Sequence, residues 1–126
     1  MAGFIQIYTE KERNNKIKRE LKKLKAIFSD IGEKNRGTVE RLIENAAFLA
    51  VTLEETQKII NRDGVIEEYQ NGENQRGMKK SSAVEVYDKS MNTYSKVIKQ
   101  LCDLLPKEAD TDPAKEIMQF IKGGSG

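Results

Sequence analysis

The clearest helical pattern in the chain lies in "KKSSAVEVYDKSMNTYSKVIKQLCDLLP", residues 79–106. Its apolar residues recur in alternating steps of three and four, at Val84, Tyr87, Met91, Tyr94, Ile98, Leu101 and Leu105. This spacing places them on one stripe of an α-helix, which needs another apolar surface to pack against. Ser81 or Ser82 can cap its start, and Ser82 stands three residues before Glu85 in the capping-box pattern. Pro106 predicts its end.

Two similar stripes lie upstream and predict two more helices. The first runs over residues 10–31, and Thr9 and Glu12 have the capping-box spacing at its start. Gly32 is expected to end the helix by adopting a left-handed backbone conformation. Its apolar stripe consists of Ile17, Leu21, Leu24, Phe28 and Ile31.

The second helix is predicted over residues 38–62, with Thr38 as its cap. Its apolar stripe is Val39, Leu42, Ala46, Leu49, Leu53, Thr56 and Ile60, widened by Ile43, Ala47, Ala50 and Ile59. A stripe this broad is typical of a helix that faces a core rather than a strict two-stranded zipper.

A turn or β-hairpin is predicted between the second and third helices, over residues 63–80. Asn71-Gly72 is the dipeptide that a type I′ hairpin turn favours. The segments "VIEEY" before it and "NQRGM" after it can pair as a two-stranded ribbon, and an irregular loop is the alternative.

Together these elements predict an all-α fold, with long helices in an antiparallel helical hairpin or bundle. The chain has 126 residues, of which 37% are hydrophobic and 33% charged, so its core is narrow. We divide it into an N-terminal arm (1–9), a helical domain (10–106) that includes the third helix over 82–105, and an acidic linker with a C-terminal helix and a flexible end (107–126).

The third stripe also suggests self-association, because tyrosine tolerates a half-hydrated interface well. The alternative is an ordinary monomeric bundle. The residues that we assign to contacts between copies are Val84, Tyr87, Met91, Tyr94, Ile98 and Leu101.

The composition argues against an enzyme. The chain has no histidine, the commonest general base and metal ligand, and only one cysteine, Cys102. Phosphate-binding glycine loops and nucleophile elbows are absent, and the pairs Glu54-Glu55 and Glu67-Glu68 are typical of solvated surfaces. We therefore expect no catalytic residue, metal or cofactor. With no signal peptide or long apolar run, we expect a cytoplasmic protein.

The first helix carries an unusual concentration of positive charge. Residues 10–25 hold eight basic and three acidic residues, a net charge of +5, whereas residues 33–73 hold five basic and nine acidic residues, a net charge of −4. Such a band can bind a phosphate backbone without reading bases. The alternatives are a solubilising surface that faces a neighbour's acidic segment, or an anionic membrane, which we rank last. The candidate DNA-binding residues are Lys11, Arg13, Lys16, Lys18, Arg19, Lys22, Lys23 and Lys25.

The run "NRDGVIEEYQNGENQRGMKKSSAVEVYDKSMNTYSKVIKQLCDLLP", residues 61–106, resembles the phage terminase small subunits. In many of those proteins a helix ends at Asp-Gly, a glycine-containing turn follows, and a long helix ends in a "LGLLP"-like run. Here Asp63-Gly64, Gly72 and "LCDLLP" stand in those places. Acidic "KEADTDP" replaces the family's usual basic run after the proline.

The resemblance implies a non-catalytic DNA-packaging subunit that assembles into a ring-shaped homo-oligomer in the host cytoplasm. It implies two further partners, double-stranded viral DNA near the packaging start and the terminase large subunit, which carries the ATPase and nuclease. The alternative is a structural or adaptor homo-oligomer of a phage or bacterium with no direct DNA role. The residues that we assign to docking the large subunit are Ile117, Met118, Phe120 and Ile121.

Overall fold

The computed structural model describes residues 6–72, 75–106, 117–118 and 121–122. Its elements are α1 (Glu10–Ile27), a 3₁₀ turn (Glu33–Asn35), α2 (Arg36–Asp63), β1 (Ile66–Gln70), β2 (Arg76–Lys80) and α3 (Ser82–Asp103). The predicted helix-dominated fold with a hairpin between the second and third helices is confirmed. Within the described ranges, no helix is long and apolar enough to cross a membrane.

Helix α1 begins as predicted and ends earlier than predicted. The Thr9 hydroxyl accepts the Glu12 N–H at 3.1 Å, and the Glu12 carboxylate accepts the Thr9 N–H at 3.3 Å, which completes the capping box. The helix ends at Ile27, four residues before the predicted end, and Ser29 donates its hydroxyl to the Ala26 carbonyl at 3.0 Å. Such a bond competes with the helical pattern. Gly32 has φ −66° and is not a left-handed stop.

Helix α2 starts two residues before the predicted cap. The 3₁₀ turn leads directly into it, so Thr38 lies inside the helix and caps nothing, and Asn35 precedes the helix without a side-chain capping bond. The helix ends at Asp63, where the Gly64 N–H donates to the Ile60 carbonyl at 2.7 Å. Gly64 has φ +92°, a backbone conformation that glycine adopts most readily.

Strands β1 and β2 form an antiparallel ribbon in which Ile66 pairs with Lys80 and Gln70 pairs with Arg76. The connecting segment 71–75 is therefore longer than a two-residue turn. The predicted type I′ turn is wrong, because it requires positive φ at both central residues and only Gly72 has it.

Helix α3 is capped by the first of its two candidate serines. The Ser81 hydroxyl accepts the Val84 N–H at 3.2 Å. The capping box predicted for Ser82 and Glu85 is not formed, because the Ser82 N–H and hydroxyl both donate to the carboxylate of Glu67 on β1, at 3.3 Å. This contact ties the ribbon to the start of α3.

The core forms where α2 packs against both other helices. Helix α1 runs antiparallel to α2, because its N-terminal turn contacts the C-terminal half of α2 and a short segment joins their other ends. The main core cluster is Leu24, Phe28, Val39, Ile43, Ala46, Ala47, Leu53, Tyr94, Val97, Ile98, Leu101, Cys102 and Ile117.

Candidate nucleic-acid interface

A buried carboxylate fixes the beginning of α1 to α2. Glu55 is only 7% exposed, and its Oε2 accepts the backbone N–H groups of Ile7 and Tyr8, each at 2.8 Å. The guanidinium of Arg13 donates to the same carboxylate, from Nη2 at 2.9 Å to Oε1 and 3.1 Å to Oε2, and from Nε at 3.3 Å. One side chain of α2 therefore holds both the segment before α1 and the first turns of α1.

The neighbouring carboxylate extends this contact. Glu54 Oε1 accepts the Tyr8 hydroxyl at 2.7 Å and the Lys16 ammonium at 3.2 Å. The Lys16 ammonium also lies 4.7 Å from the centroid of the Tyr8 ring, within cation–π range. We call Tyr8, Arg13, Lys16, Glu54 and Glu55 the carboxylate latch.

The protonation states of the latch follow from its contacts. Burial alone raises the pKa of Glu55, but the Tyr8 N–H, the Arg13 guanidinium and the Ile7 N–H outweigh it, so the pKa lies below its usual value. For Glu54, burial is outweighed in the same way by hydrogen bonds from Tyr8 and Lys16, and its pKa is also lowered. Burial, and then the hydrogen bond to Glu54, raises the pKa of the Tyr8 hydroxyl. Near neutral pH both carboxyls are therefore ionised and the tyrosine is neutral.

The latch divides the predicted basic band into two sets. Arg13 and Lys16 belong to the latch, and Lys23 is half-buried with its ammonium 3.7 Å from the Glu20 carboxylate. The other five are exposed and form no ion pair with any residue that the structure describes; they are Lys11, Lys18, Arg19, Lys22 and Lys25.

Four of these exposed residues share one side of α1. Lys11, Lys18, Lys22 and Lys25 follow each other at intervals of seven, four and three residues, which keeps them within one face of a helix. Leu24, fully buried in the core cluster, lies on a different side of the helix. We call the four lysines together with the flanking Arg19 the basic face.

The ribbon carries a smaller basic group that is largely neutralised within the chain. The Lys79 ammonium lies 3.3 Å from the Glu67 carboxylate, and the Lys80 ammonium lies 3.5 Å from that of Asp88. Among the residues described, Arg76 has no ion-pair partner. The basic face is therefore the stronger candidate for binding a polyanion.

The apolar stripe of α3 is used mainly inside the chain. Tyr94, Ile98 and Leu101 are at most 5% exposed and belong to the core cluster. Burial, and then the nearby Glu20 carboxylate, raises the pKa of Tyr94 to about 12. Of the six residues assigned to contacts between copies, the accessible ones are the half-buried Val84 and Tyr87 and the exposed Met91.

The apolar residues near the C-terminus also contact the chain's own core. Ile117 is buried in the core cluster, and Met118 and Ile121 pack against it while partly buried. Phe120, the fourth residue assigned to docking the large subunit, lies outside the described residues.

Sequence reasoning missed the latch because it interpreted Glu54-Glu55 as a solvated pair. A signal was present: Glu55 stands four residues after Val51 and four before Ile59, so it shares the side of α2 on which both are buried. A carboxylate on a buried stripe needs hydrogen-bond donors from elsewhere in the chain.

The described residues contain no cluster of three His, Cys, Asp or Glu side chains that could hold a metal ion. Comparison of the chain with known proteins gives no matching family model, no matching curated protein and no matching solved structure.

Proposed function

We propose that this chain is the small subunit of a phage terminase. In this proposal it binds double-stranded viral DNA near the packaging start through α1, assembles into a ring in the host cytoplasm, and recruits or regulates the large ATPase/nuclease subunit. The observation that carries the DNA-binding role is the basic face, which presents five positive side chains that form no ion pair with a described residue. The large-subunit partner and the packaging role rest on the resemblance of residues 61–106.

The geometry of the basic face suits a phosphate backbone. From Lys11 to Lys25 the row covers fourteen residues of helix, or about 21 Å at 1.5 Å per residue. Flexible lysines spread over that length can each contact a phosphate, and such contacts carry no base specificity. Selection of a DNA site would then come from bending or groove shape rather than from base contacts.

The carboxylate latch supports this role indirectly. It fixes the rotation of α1 about its own axis, because Arg13 and Lys16 are held against α2 on the side away from the four lysines of the basic face. A helix held in this way presents its lysines in one direction. Repetition of the face around a homo-oligomer would raise affinity through multivalency, although each single contact is weak.

The test is DNA binding, measured by fluorescence anisotropy with a labelled duplex at several salt concentrations. The charge-reversal variant K18E/K22E/K25E should lose binding. The matched control is K89E/K96E/K99E, which makes the same change in net charge at three exposed lysines of α3. The neutral variant K18Q/K22Q/K25Q should retain weak binding, with a slope of log K against log[salt] reduced by up to about 2.7 per subunit, from about 0.9 per lost phosphate contact.

Two results would contradict the proposal in different ways. Equal loss of binding in the α1 variant and its α3 control would mean that net charge, and not the basic face, governs the interaction. If the unmodified protein binds no duplex at low salt, the DNA role fails, and the structural or adaptor homo-oligomer takes its place.

A further inference from the structure

Among the residues that the structure describes, no strand pairs with either outer edge of the ribbon, and backbone groups point outward at both edges. The Ser81 N–H donates to the Val65 carbonyl at 2.9 Å, and the Asn71 N–H donates to the Gln75 carbonyl at 2.8 Å. Because paired residues in an antiparallel ladder alternate between hydrogen-bonded and non-hydrogen-bonded, these two bonds fix the pattern for the whole ribbon. The outward N–H and C=O groups belong to Ile66, Glu68 and Gln70 on β1 and to Arg76, Met78 and Lys80 on β2.

Each open edge carries one exposed apolar residue and one charge without an ion pair. Ile66 on β1 is 59% exposed and Met78 on β2 is 74% exposed. Glu68 on β1 and Arg76 on β2 form no ion pair with a described residue, whereas their neighbours Glu67 and Lys79 pair with each other. Like charges on an edge discourage pairing, but here the two edges carry opposite signs.

We propose that the ribbon joins copies of this chain head to tail, with β1 of one copy pairing antiparallel to β2 of the next. Several registers pair the outward backbone groups of both edges, and the one that also matches apolar with apolar and opposite charges places Ile66 opposite Met78 and Glu68 opposite Arg76. It is shifted by two residues from the pairing inside the ribbon, where Ile66 opposes Lys80, and it keeps all four side chains on one face. This inference rests on the self-association in the proposed function and identifies the surface that provides it.

Electrostatics favours this head-to-tail arrangement over a two-fold one. Pairing β1 with β1 would bring the Glu68 side chains of two copies to the same edge, and pairing β2 with β2 would do the same for Arg76 and Lys80. Like charges opposite each other across strands are destabilising, whereas opposite charges and apolar pairs are stabilising. A head-to-tail contact repeats from copy to copy, and it gives a ring where the rotation closes.

The surface next to the β2 edge can extend this contact. An open groove of about 440 Å³ is lined by Val65, Ile66, Met78, Lys79, Lys80 and Val84. It continues the apolar edge onto the first turn of α3, where Val84 is only half-buried. A strand of the next copy paired along β2 would place apolar side chains beside this groove.

The test is disulfide trapping between two different single variants under a glutathione redox buffer. A mixture of I66C and M78C should give a cross-linked dimer on non-reducing gels, since opposed residues in a ladder have Cα atoms at distances a disulfide can span. Neither variant alone should cross-link through its ribbon. The mixture of I66C with F48C is the matched control, because Phe48 is 54% exposed but lies on α2, and unmodified protein reports background from buried Cys102.

Charge exchange provides an independent readout in protein without added cysteines. In native-mass measurements by light scattering, E68R and R76E should each weaken assembly, and E68R/R76E should restore it because the pair is re-formed with reversed signs. Circular dichroism establishes that each variant keeps its helices.

Each remaining outcome overturns the inference in a recognisable way. Cross-linking of I66C alone would mean two-fold β1–β1 pairing. An oligomer by light scattering without cross-links in the I66C and M78C mixture would place the contact elsewhere and leave self-association standing. A native mass equal to that of a monomer would contradict both the ribbon contact and the proposed self-association. DNA binding, measured separately on the same protein, reports on the basic face whichever result is found.

Discussion

Replacing Glu55 is the most direct test of how this chain holds its first helix. We expect E55Q and E55A to lower the free energy of unfolding by different amounts, because they remove different parts of the latch. Glutamine keeps one oxygen, which can accept the Ile7 and Tyr8 N–H groups in place of Oε2. Its NH₂ group then faces the Arg13 guanidinium, so E55Q removes the ion pair, whereas E55A leaves every donor without a partner.

The magnitude follows from the burial of each group. Arg13 keeps 28% of its side chain exposed, so water can solvate it once its partner is gone. A hydrogen bond to a charged group contributes about 1.5–3 kcal/mol, and because water screens the partly exposed Arg13 we expect a smaller loss of about 1–2 kcal/mol for E55Q. In E55A the Tyr8 N–H is also left buried without an acceptor, which costs about 1–3 kcal/mol more, so we expect about 2–5 kcal/mol in total.

The assay is urea unfolding followed by circular dichroism, repeated between pH 7 and pH 3. The pKa of Glu55 is lower in the folded than in the unfolded state, so its carboxylate stabilises the fold above the usual pKa of 4.5. That contribution is lost as the pH falls from there through the lowered pKa of the folded state. The stability difference between unmodified protein and E55Q should therefore be full at pH 7 and shrink toward pH 3.

The neighbouring residue supplies the control for this prediction. Glu54 keeps 45% of its side chain exposed, so E54Q should cost no more than about 1 kcal/mol. If the free energies of unfolding of E55Q and E55A both lie within about 0.5 kcal/mol of that of the unmodified protein, the latch does not stabilise the fold. A difference between E55Q and unmodified protein that stays constant down to pH 3 would mean that its cause is not the ionised carboxylate.

Three further substitutions test the core, a helix cap and a backbone position, all by the same urea unfolding. L101A should lower the free energy of unfolding by about 2–5 kcal/mol, because Leu101 is fully buried and its removal leaves a cavity; a loss below 1 kcal/mol would argue against this core. S81A should cost about 0.5–2 kcal/mol by removing the α3 cap, whereas a cost confined to S82A would mean that Ser82 is the cap. G64A should cost about 1–3 kcal/mol because Gly64 has φ +92° and ψ 173°, while the control G37A, inside α2 with open space around it, should be neutral or stabilising; equal effects would contradict the backbone argument.

The sequence predicted those features that depend on neighbouring residues. The three helices follow from apolar periodicity, and the Thr9–Glu12 capping box follows from a spacing of three. The predictions failed at helix ends, where packing competes with local signals. Gly32 was expected to stop α1 and Thr38 to cap α2, yet the chain leaves α1 at Ile27 and enters α2 through a 3₁₀ turn.

The latch could not be predicted in full, because its partners are far apart in the chain. Glu55 contacts Arg13 across 42 residues and Ile7 across 48, and no local spacing encodes such pairs. The sequence gives the positions of the eight basic residues of α1, but not which of them are used within the chain. Only the structure separates Arg13 and Lys16, held by the latch, from the exposed lysine row.

The two proposed surfaces are connected through α2. The latch joins the start of α1 to Glu55, and the ribbon begins just after Asp63, eight residues or about 12 Å further along the same helix. The basic face therefore starts near the ribbon end of each copy, and copies joined through their ribbons would carry their basic faces at one common level.

Loosening the latch should then weaken DNA binding by the assembly more than it weakens the assembly itself, since it frees α1 without touching either edge of the ribbon. E55Q should separate these effects: the native mass should be unchanged while duplex affinity falls, and a parallel fall in both would mean that α1 takes part in the contact between copies.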